Sequence, residues 1–496
     1  MSETIPELLR YAGEAFADRI AIADGPVRTT YAELHEQARA ASRAYRAAGA
    51  RPGDRVALWA PNRPEFVVAL LGALSAGLAV VPLNTRFRGP EAHRILTRSR
   101  ATVLVVDDGF LGTDYLGMLP ADRPHLRAIV ELGDPHEGTV PWADFLAAGA
   151  AGLPDVVVEP DTVADVLFTS GTTGEPKGVM SSHRQTLSVA TVWARGASLG
   201  PDDRYAIVNP FFHSFGYKAG IVAALTAGTA IHPVATFDPE ALLALIERER
   251  ITVLPGAPTI FTTLINHPKR TAYDLGSLRF SIAGAASVPP NLFLQMRDVL
   301  GFDEVAQAYG LTECVVATKS RPGEDPLHIA ENVGPAVPGL EIRIADADDE
   351  VLIRGANVML GYFEDPDATR LAIDADGWLH TGDQGRLDEH GCLRITGRIK
   401  DMFTVGGFNV YPAEVENVLA DHPAVAEAAV VGVPDDRLGS VGRAYVTARP
   451  GAAVEAGDVL RFARERLANF KVPREVVVLD ALPRNAAGKI LKRSLS

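Results

Sequence analysis

Phe-Thr-Ser-Gly-Thr-Thr-Gly-Glu-Pro-Lys-Gly, at residues 168–178, is the most informative segment of this chain. It follows the mostly apolar run Val163–Phe168, so the sequence predicts a strand that opens into a loop. Glycine lets backbone N–H groups turn toward an anion, and the hydroxyl groups and the lysine add donors and one positive charge. The segment therefore predicts a loop that binds a polyphosphate, with ATP as the favoured ligand.

This segment differs from a P-loop, in which Gly-Lys stands directly before Ser or Thr at the start of a helix. Here Pro176 precedes Lys177, and Gly178 follows it. Proline lacks the N–H that a P-loop backbone would offer to phosphate at this position. Taken alone, the segment is also compatible with a flexible surface loop rich in glycine and threonine.

Outward from this segment, short apolar runs alternate with helical patterns through most of the chain. This alternation predicts an α/β fold of mostly parallel sheets covered by helices. The predicted strands are Val56–Trp59, Val80–Leu83, Val103–Val106, Val166–Phe168, Ala206–Val208, Val253–Leu254 and Phe280–Ala283. The predicted helices are 31–47, 65–76, 183–195, 239–249, 258–266 and 289–299.

The pattern changes near residue 340, where short β runs broken by glycine and aspartate predict an antiparallel or barrel-like piece. These runs are Ile342–Ile344, Val351–Ile353 and Leu393–Ile395. After residues 397–401 the sequence predicts a small α+β domain of about a hundred residues. Its predicted strands are Val425–Val433 and Ala444–Thr447, and its predicted helices are Pro412–Ala420 and Val459–Leu467.

Composition excludes several classes of protein. The 496 residues are 47% hydrophobic and 22% charged, which is typical of a globular protein with more than one domain. A formal net charge of −14 argues against a nucleic-acid partner. The two cysteines, Cys314 and Cys392, cannot build a disulfide framework, so we expect a reducing, cytoplasmic location.

The apolar segment Phe66–Leu83 is about long enough to cross a bilayer. Gly72, Gly77 and Pro82 interrupt it, however, so the sequence predicts a helix at 65–76, a glycine turn and a buried strand at 78–83. The N-terminus also lacks the pattern of a signal peptide. We therefore expect no integral membrane segment.

Two segments carry candidate carboxylates. Residues 309–313 read Tyr-Gly-Leu-Thr-Glu, and a glycine turn here would place Thr312 and Glu313 at a sheet edge, where a carboxylate beside polyphosphate is a natural Mg²⁺ ligand. Residues 378–383 read Trp-Leu-His-Thr-Gly-Asp, and a turn would present Asp383 to two ribose hydroxyls. Helix capping and an Asx-turn are the respective alternatives. His380 is predicted to be structural.

Two further segments suggest a pocket and a reactive lysine. Residues 209–217 read Asn-Pro-Phe-Phe-His-Ser-Phe-Gly-Tyr, an aromatic cluster around His213 that suits an apolar ligand with a polar gate, or an aromatic core. Residues 483–490 read Pro-Arg-Asn-Ala-Ala-Gly-Lys-Ile, which places Lys489 after a glycine. Alone, this lysine would be interpreted as a surface residue.

Taken together, the segments quoted above follow one another along the chain in an order that resembles the acyl-adenylate-forming superfamily, specifically its acyl-CoA synthetases. Gly-Arg-Ile-Lys-Asp at 397–401 and Gly-Gly-Phe-Asn-Val-Tyr-Pro at 406–412 complete the set, which covers essentially the whole chain. The resemblance implies a large N-terminal domain, residues 1–397, with two doubly wound sheets and a distorted β-barrel. A hinge at 398–401 and a small mobile α+β C-terminal domain at 402–496 would follow.

The resemblance also implies two half-reactions that use ATP, Mg²⁺ and coenzyme A. A carboxylate attacks the α-phosphate of ATP, which gives acyl-AMP and pyrophosphate. The CoA thiol then attacks the acyl carbonyl, and AMP leaves. The partners would be a small carboxylic acid, ATP and CoA, and a homodimer stays open.

Residue roles follow from the resemblance position by position. Catalysis would involve Lys489, which bridges the acyl carboxylate and the α-phosphate, and Thr312 at the α-phosphate. Glu313 would hold Mg²⁺, and His213 would gate the thiol entrance without being an obligatory base, because an oriented thiol needs little activation. A fixed cation such as Lys489 is worth on the order of several kcal/mol at the transition state.

The nucleotide and CoA would be bound by a larger set, which the resemblance divides by function. The β- and γ-phosphates would contact Thr169, Ser170, Gly171, Thr172, Thr173, Gly174 and Lys177. Adenine would contact Gly284, Ala285, Ala286 and Tyr309, and ribose would contact Asp383 and Arg398. Rotation about the hinge residue Lys400 would bring Gly406 and Gly407 in as the pantetheine tunnel. Ala487 departs from the family pattern, which often has Thr there.

The acyl pocket would be lined by Phe212, His213, Phe215, Tyr217, Pro258, Gly310, Cys314 and Val315. This set has no Arg or Lys for a second carboxylate and no Asp for an amine, which disfavours malonate-like acids and amino acids. Asn209–Gly220 and Thr252–Phe261 resemble actinobacterial ligases for the propanoate side chain of partly degraded steroids. Fatty acids and aryl acids stay open.

Two other functions are compatible with the sequence. An acyl-AMP ligase could load a carrier protein, although the two tunnel glycines favour CoA. A non-catalytic regulator could bind nucleotide or acyl-CoA, although the presence of Lys489, Glu313 and Asp383 argues against it.

Overall fold

The computed structural model describes residues 2–123, 125–149, 153–170, 175–284, 292–347, 349–399, 402–410, 412–449, 451–483, 490 and 492–495. The strands in these ranges are β1 (Ile20–Asp24), β2 (Val27–Thr30), β3 (Arg55–Trp59), β4 (Ala79–Pro82), β5 (Ala101–Val106), β6 (Ala128–Glu131), β7 (Val140–Pro141), β8 (Val163–Ser170), β9 (Pro176–Ser182), β10 (Arg204–Ile207), β11 (Ala230–Pro233), β12 (Phe280–Gly284), β13 (Glu304–Leu311), β14 (Cys314–Lys319), β15 (Leu340–Ile344), β16 (Glu350–Gly355), β17 (Gly361–Tyr362), β18 (Leu379–Leu387), β19 (Leu393–Arg398), β20 (Phe403–Val405), β21 (Phe408–Val410), β22 (Val425–Asp435), β23 (Gly439–Ala448) and β24 (Glu475–Leu479).

The α-helices of the described ranges are α1 (Ile5–Ala15), α2 (Tyr31–Ala47), α3 (Pro64–Ser75), α4 (Gly89–Ser99), α5 (Trp142–Ala148), α6 (His183–Gly196), α7 (Ala223–Ala227), α8 (Pro239–Glu249), α9 (Pro258–Ile265), α10 (Leu292–Leu300), α11 (Pro326–Glu331), α12 (Pro366–Ala372), α13 (Pro412–Ala420) and α14 (Ala456–Arg464). A π-helix spans Phe215–Val222, and short 3-10 helices lie at Phe110–Gly112, Arg270–Ala272 and Lys492–Ser494.

The largest sheet has the strand order β17-β9-β8-β4-β3-β5-β6-β7. Strands β8, β4, β3, β5, β6 and β7 run parallel, and β9 turns back antiparallel to β8. The strands β4 and β5 are buried along their whole length, as expected for parallel strands covered on both faces. Every residue of helix α3 from Phe66 to Leu74 is buried, so this helix lies in the interior of the protein.

A second sheet is assembled from two groups of strands. One group has the order β10-β11-β1-β2, and the other has the order β12-β13-β14. Val253 pairs in parallel with Tyr205 of β10 on one side and with Phe280 of β12 on the other, so it joins the two groups. Val253 forms only isolated β-bridges to these neighbours, so the predicted strand Val253–Leu254 is not a regular strand.

The antiparallel piece predicted after residue 340 is confirmed as a sheet of order β15-β16-β18-β19. The C-terminal residues form a separate mixed sheet of order β21-β20-β23-β22, with β24 parallel to β23. Helices α13 and α14 cover it, and α14 begins three residues before its predicted start. This sheet begins at Phe403, close to the predicted domain boundary, whose position stays a prediction.

The apolar segment at 66–83 forms α3 and β4, as predicted, rather than a membrane span. Within the described part of the chain, no helix is long and apolar enough to cross a bilayer. The α/β class, with a large N-terminal part and a smaller C-terminal part, agrees with the prediction.

Candidate active site

The predicted phosphate segment is mostly a β-hairpin rather than a loop. Strand β8 continues through Ser170, and β9 already begins at Pro176, with Thr169 opposite Lys177. The Thr169 hydroxyl donates to the Lys177 carbonyl oxygen at 3.5 Å. The expectation of a loop from Thr169 to Lys177 is therefore wrong, because antiparallel pairing absorbs both ends. Of the other predicted ligands, Gly171, Thr172, Thr173 and Gly174 lie outside the described residues.

Lys177 and Glu313 both contact one tyrosine, Tyr362. The Tyr362 hydroxyl donates to Glu313 Oε1 at 2.9 Å, and the Lys177 ammonium is 4.9 Å from the centroid of the Tyr362 ring. Burial raises the pKa of Glu313, although the Tyr362 hydroxyl and the Lys177 charge act in the opposite direction. The fold thus brings a predicted phosphate ligand beside the predicted metal ligand.

Sequence reasoning missed Tyr362. It lies in the two-residue strand β17, which pairs with β9 of the phosphate hairpin. No motif identifies this tyrosine, because its role depends on that strand pairing.

The turn that presents Glu313 differs from the predicted one. Tyr309 and Gly310 lie inside β13, and Thr312 and Glu313 themselves form the turn between β13 and β14. Gly310 is required by packing, since a Cβ at this position would lie 2.6 Å from the Val316 backbone nitrogen. The glycine lets the two strands approach closely.

Tyr309 and Asp383, the residues predicted at adenine and ribose, are in contact. The Tyr309 hydroxyl donates to Asp383 Oδ2 at 2.6 Å. Asp383 lies buried in β18, directly after Gly382 with its φ of +73°, rather than on a turn as predicted. The Asp383 backbone pairs with that of Arg398 in β19. Gly284 ends β12 beside β13, whereas Ala285 and Ala286 lie outside the described residues.

Glu350 fixes the backbone before Asp383 and was also missed. Its Oε1 accepts the Gly382 N–H at 2.8 Å, and its Oε2 is 2.8 Å from His380 Nδ1. The Glu350 carboxylate thus contacts β18 at His380 and at Gly382, directly before Asp383. His380 makes a structural contact, as predicted.

The aromatic cluster surrounds the start of the π-helix. His213 is exposed, and its Nδ1 accepts the Phe215 N–H at 3.3 Å. Phe215 contacts Trp193 edge-on, with ring centroids 4.7 Å apart, and Tyr217 is fully buried. Phe212, which precedes His213, is half-buried. A π-helix has a wider turn than an α-helix and often lies at a functional site, which explains why a search for helical periodicity does not find it.

A buried ion pair connects the π-helix to the phosphate hairpin. The Lys218 ammonium is 3.1 Å from Asp165 Oδ1 of β8 and donates to the Ser181 hydroxyl of β9 at 2.7 Å. Burial lowers the pKa of Lys218 and raises that of Asp165, and the mutual attraction opposes both shifts. Because Asp165 compensates its charge, Lys218 is not available to a second substrate carboxylate.

The remaining pocket candidates lie on two elements. Cys314 and Val315 are buried in β14, and burial raises the pKa of the Cys314 thiol, so it is not an activated nucleophile. Pro258 begins α9 directly after Ala257. A Cβ at Gly407 would lie 3.4 Å from the Ala257 Cβ. The predicted tunnel segment therefore lies against the predicted pocket.

Gly406 and Gly407 form the turn between β20 and β21, with φ values of +56° and +85° that favour glycine. Lys489 and the hinge residue Lys400 lie outside the described residues, so their roles stay predictions.

Residues 9–363 match the AMP-binding enzyme family, and residues 414–489 match the AMP-binding enzyme C-terminal domain. The chain belongs to the AMP-binding enzyme family. It is 50% identical over 505 residues to the 3-[(3aS,4S,7aS)-7a-methyl-1,5-dioxo-octahydro-1H-inden-4-yl]propanoyl:CoA ligase of Rhodococcus jostii (strain RHA1), covering 99% of this chain and 98% of that one. It is 51% identical to the ligase of the same name from Mycobacterium tuberculosis (strain ATCC 25618 / H37Rv), with the same coverage.

Among solved structures, o-succinylbenzoate CoA synthetase from Bacillus subtilis, bound to its product analogue OSB-NCoA, matches with a TM-score of 0.85 at 30% identity. ATP-bound MatB from Rhodopseudomonas palustris matches with a TM-score of 0.70 at 31% identity. Both comparisons cover 99% of this chain and 98% of the other. These findings confirm the predicted activity class: this family member is an AMP-forming acid–thiol ligase that uses ATP and CoA to make acyl-CoA.

Proposed function

We propose that this enzyme activates the propanoate side chain of a bicyclic, steroid-derived ketone acid and transfers it to CoA. One observation carries the proposal: the two relatives named for such an acid are 50% and 51% identical over nearly the whole chain. Relatives named for other acids are more distant, at 36% identity for feruloyl-CoA synthase from Amycolatopsis sp and 33% for a long-chain-fatty-acid ligase from M. tuberculosis.

The pocket residues support an apolar, uncharged acyl group. The half-buried Phe215 offers aromatic surface, and the buried side chains of Tyr217, Cys314 and Val315 are not charged at neutral pH. A compact fused-ring acid buries its surface well against rigid aromatic side chains. Because Lys218 is paired with Asp165, these residues leave no free cation for a second carboxylate.

Magnesium fits the donors around Glu313. Carboxylate oxygen is a preferred ligand of Mg²⁺, which is usually held by one or two carboxylates together with substrate phosphates. Glu313 contacts the same tyrosine as Lys177, and Lys177 belongs to the hairpin predicted to bind the β- and γ-phosphates. We propose that Glu313 holds this ion, which would neutralise phosphate charge, and that Lys177 binds the departing pyrophosphate.

In the proposed mechanism, each protein group has a defined task. Thr169, Ser170 and Lys177 bind the terminal phosphates, Thr312 contacts the α-phosphate, and Lys489 stabilises the charge that builds there during carboxylate attack. Asp383 and Tyr309 orient the nucleoside, with Arg398 at the ribose. Gly406 and Gly407 then guide the CoA arm past His213 to the acyl carbonyl. We also propose that the enzyme is cytosolic and that its two domains meet at residues 398–401. A homodimer is a further proposal.

A substrate panel tests the acyl group. Pyrophosphate release and AMP formation would both be measured with CoA and one of four acids: the methyl-dioxo-octahydroindene propanoate, a medium-chain fatty acid, a long-chain fatty acid or ferulate. We expect kcat/KM to be at least about 100-fold higher for the fused-ring acid, since pocket shape and buried polar groups each contribute a few kcal/mol to selectivity. A fatty acid or ferulate as the best substrate would contradict the proposal, and acyl-AMP without thioester would support the carrier-loading alternative.

A further inference from the structure

Lys471 lies buried between the N-terminal part of the chain and the C-terminal sheet. It follows α14, and its side chain is 4% exposed. The Lys471 ammonium is 2.9 Å from Glu91 Oε1 of α4 and 2.6 Å from Glu414 Oε1 of α13. Because Glu91 belongs to the large N-terminal part and Glu414 covers the C-terminal sheet, one cation joins the two.

Aromatic side chains enclose this ion cluster. The ring of Phe87 packs against the hydrophobic cores of both parts and lies 4.8 Å from the Lys471 ammonium. Next to it, the Arg86 guanidinium lies 4.6 Å above the centroid of the Phe408 ring, and Phe408 stacks on Phe470. Excluding water lowers the local dielectric, which strengthens the attraction between the lysine and its carboxylates.

The two carboxylates have different consequences for domain orientation. Burial acts to lower the pKa of Lys471, but the two nearby carboxylates outweigh it and raise the pKa, so the side chain is charged. Glu414 stays beside Lys471 in any orientation, since both belong to the C-terminal part. Glu91 belongs to the N-terminal part, so its contact with Lys471 depends on the orientation seen here. Rotation of the C-terminal part would leave Lys471 with one partner, so Glu91 favours the present orientation.

This orientation fits the CoA step. Gly407 lies against Ala257, at the start of the predicted acyl pocket. The whole chain also superposes better on the relative bound to a CoA product analogue than on the ATP-bound relative, with TM-scores of 0.85 and 0.70 at almost equal identity. Both observations favour the orientation for thioester formation over that for adenylation.

We infer that Glu91 and Lys471 are positioning residues for thioester formation, which hold the C-terminal domain over the acyl site while CoA reacts. Neither touches the reacting atoms. The inference rests on the two-step reaction and not on the identity of the acid.

The Glu91→Gln variant tests this role. Glutamine can still accept the Arg88 N–H that Glu91 Oε2 accepts at 3.0 Å, so α4 should keep its start. We expect single-turnover conversion of preformed acyl-AMP by CoA to slow at least about tenfold, as a loss of orientation bias predicts. Pyrophosphate release without CoA should change less than about twofold, because it does not use this orientation. Lys471→Arg should convert preformed acyl-AMP with CoA faster than Lys471→Met does.

Glu414→Gln is the matched control, since it removes the other carboxylate of the same lysine but no contact between the two parts. It should lower the stability of the C-terminal domain without a selective loss of the CoA step. A second measurement needs no substrate: amide hydrogen exchange at residues 86–91 should be faster in Glu91→Gln than in the wild type and in Glu414→Gln.

Equal slowing of both half-reactions, or unchanged CoA transfer together with unchanged exchange, would overturn the inference. Failure of the wild-type enzyme to use the fused-ring acid would instead contradict the proposed substrate. In that case the exchange measurement still decides whether Glu91 holds the domain.

Discussion

At the residue scale, Tyr362 connects Lys177 and Glu313, the residues proposed to bind phosphate and Mg²⁺. Tyr362 donates to the Glu313 carboxylate and presents its ring to the Lys177 ammonium. A hydroxyl that donates to a charged carboxylate contributes about 1.5–3 kcal/mol, more than a neutral hydrogen bond. Tyr362 therefore has two separable roles, one for its hydroxyl and one for its ring.

Tyr362→Phe should reduce adenylation at least about tenfold, because it removes the hydrogen bond to Glu313 and keeps the ring beside Lys177. Steady-state pyrophosphate release at several Mg²⁺ concentrations would measure the effect, and we expect a higher Mg²⁺ requirement. Tyr273→Phe is the matched control, since the Tyr273 hydroxyl donates to Glu240 at 3.4 Å, outside the candidate site. Equal activity of the two variants would contradict the role of Tyr362.

The pH profile of adenylation should follow the same carboxylate. Burial raises the Glu313 pKa in the metal-free enzyme, so kcat/KM for adenylation should fall as the pH falls through a value above that of an ordinary glutamate, where the ionised form that binds Mg²⁺ is lost. Without the Tyr362 hydroxyl, which favours the ionised form, the acid limb of the profile should move to higher pH in Tyr362→Phe. An unchanged acid limb would show that Glu313 does not control this titration.

Among the elements, the hairpin of β8 and β9 and the π-helix at Phe215–Val222 form a connected frame. The hairpin carries Thr169 and Lys177, and the π-helix carries Phe215 and Tyr217. The Lys218–Asp165 ion pair joins the two elements inside the protein. This buried pair is therefore one contact that fixes the π-helix relative to the hairpin.

Lys218→Met should destabilise the protein by about 3–5 kcal/mol, because it leaves Asp165 buried without its cation. The double variant with Asp165→Asn should lose less, since no isolated charge remains. Urea unfolding would measure the difference. Lys269→Met is the control: its exposed pair with Glu240 should contribute less than about 1 kcal/mol. Additive losses in the double variant would indicate that the two residues act independently.

At the scale of the whole molecule, we propose that the two half-reactions use different surfaces. The phosphate hairpin belongs to the large sheet of the N-terminal part, whereas Gly406 and Gly407 approach α9 from the C-terminal part. Mutations on the two surfaces should therefore affect different steps.

Lys177→Met should slow adenylation at least about 100-fold, because a fixed cation at the phosphates contributes several kcal/mol. Conversion of preformed acyl-AMP and CoA should change less than about threefold, since pyrophosphate has already left. Separate rapid-quench measurements of the two steps would show this. The pattern is opposite to that expected for Glu91→Gln, and a common loss in both steps would contradict the division.

Much of the fold follows from local patterns. Helices α2 and α8 have their predicted bounds, and the strands β3, β4 and β5 lie within one or two residues of their predicted positions, because amphipathic periodicity and continuous apolar runs depend only on neighbours in the chain. The π-helix was not predicted, since its widened turn has no sequence period. Tyr362 and Glu350 were missed because strand pairing brings them to the site.

The amino-acid sequence determined the class of fold, the family and the two-step chemistry, because motif residues must keep their types and order to bind phosphate, ribose and CoA. Only the tertiary structure decided which of these residues meet, such as Tyr309 with Asp383, and that Lys471 is shared between Glu91 and Glu414. The physical reason is that such contacts depend on burial and on strand register between distant segments. The phosphate segment illustrates both: its residue types predicted the ligand, but pairing across β8 and β9 determined its shape.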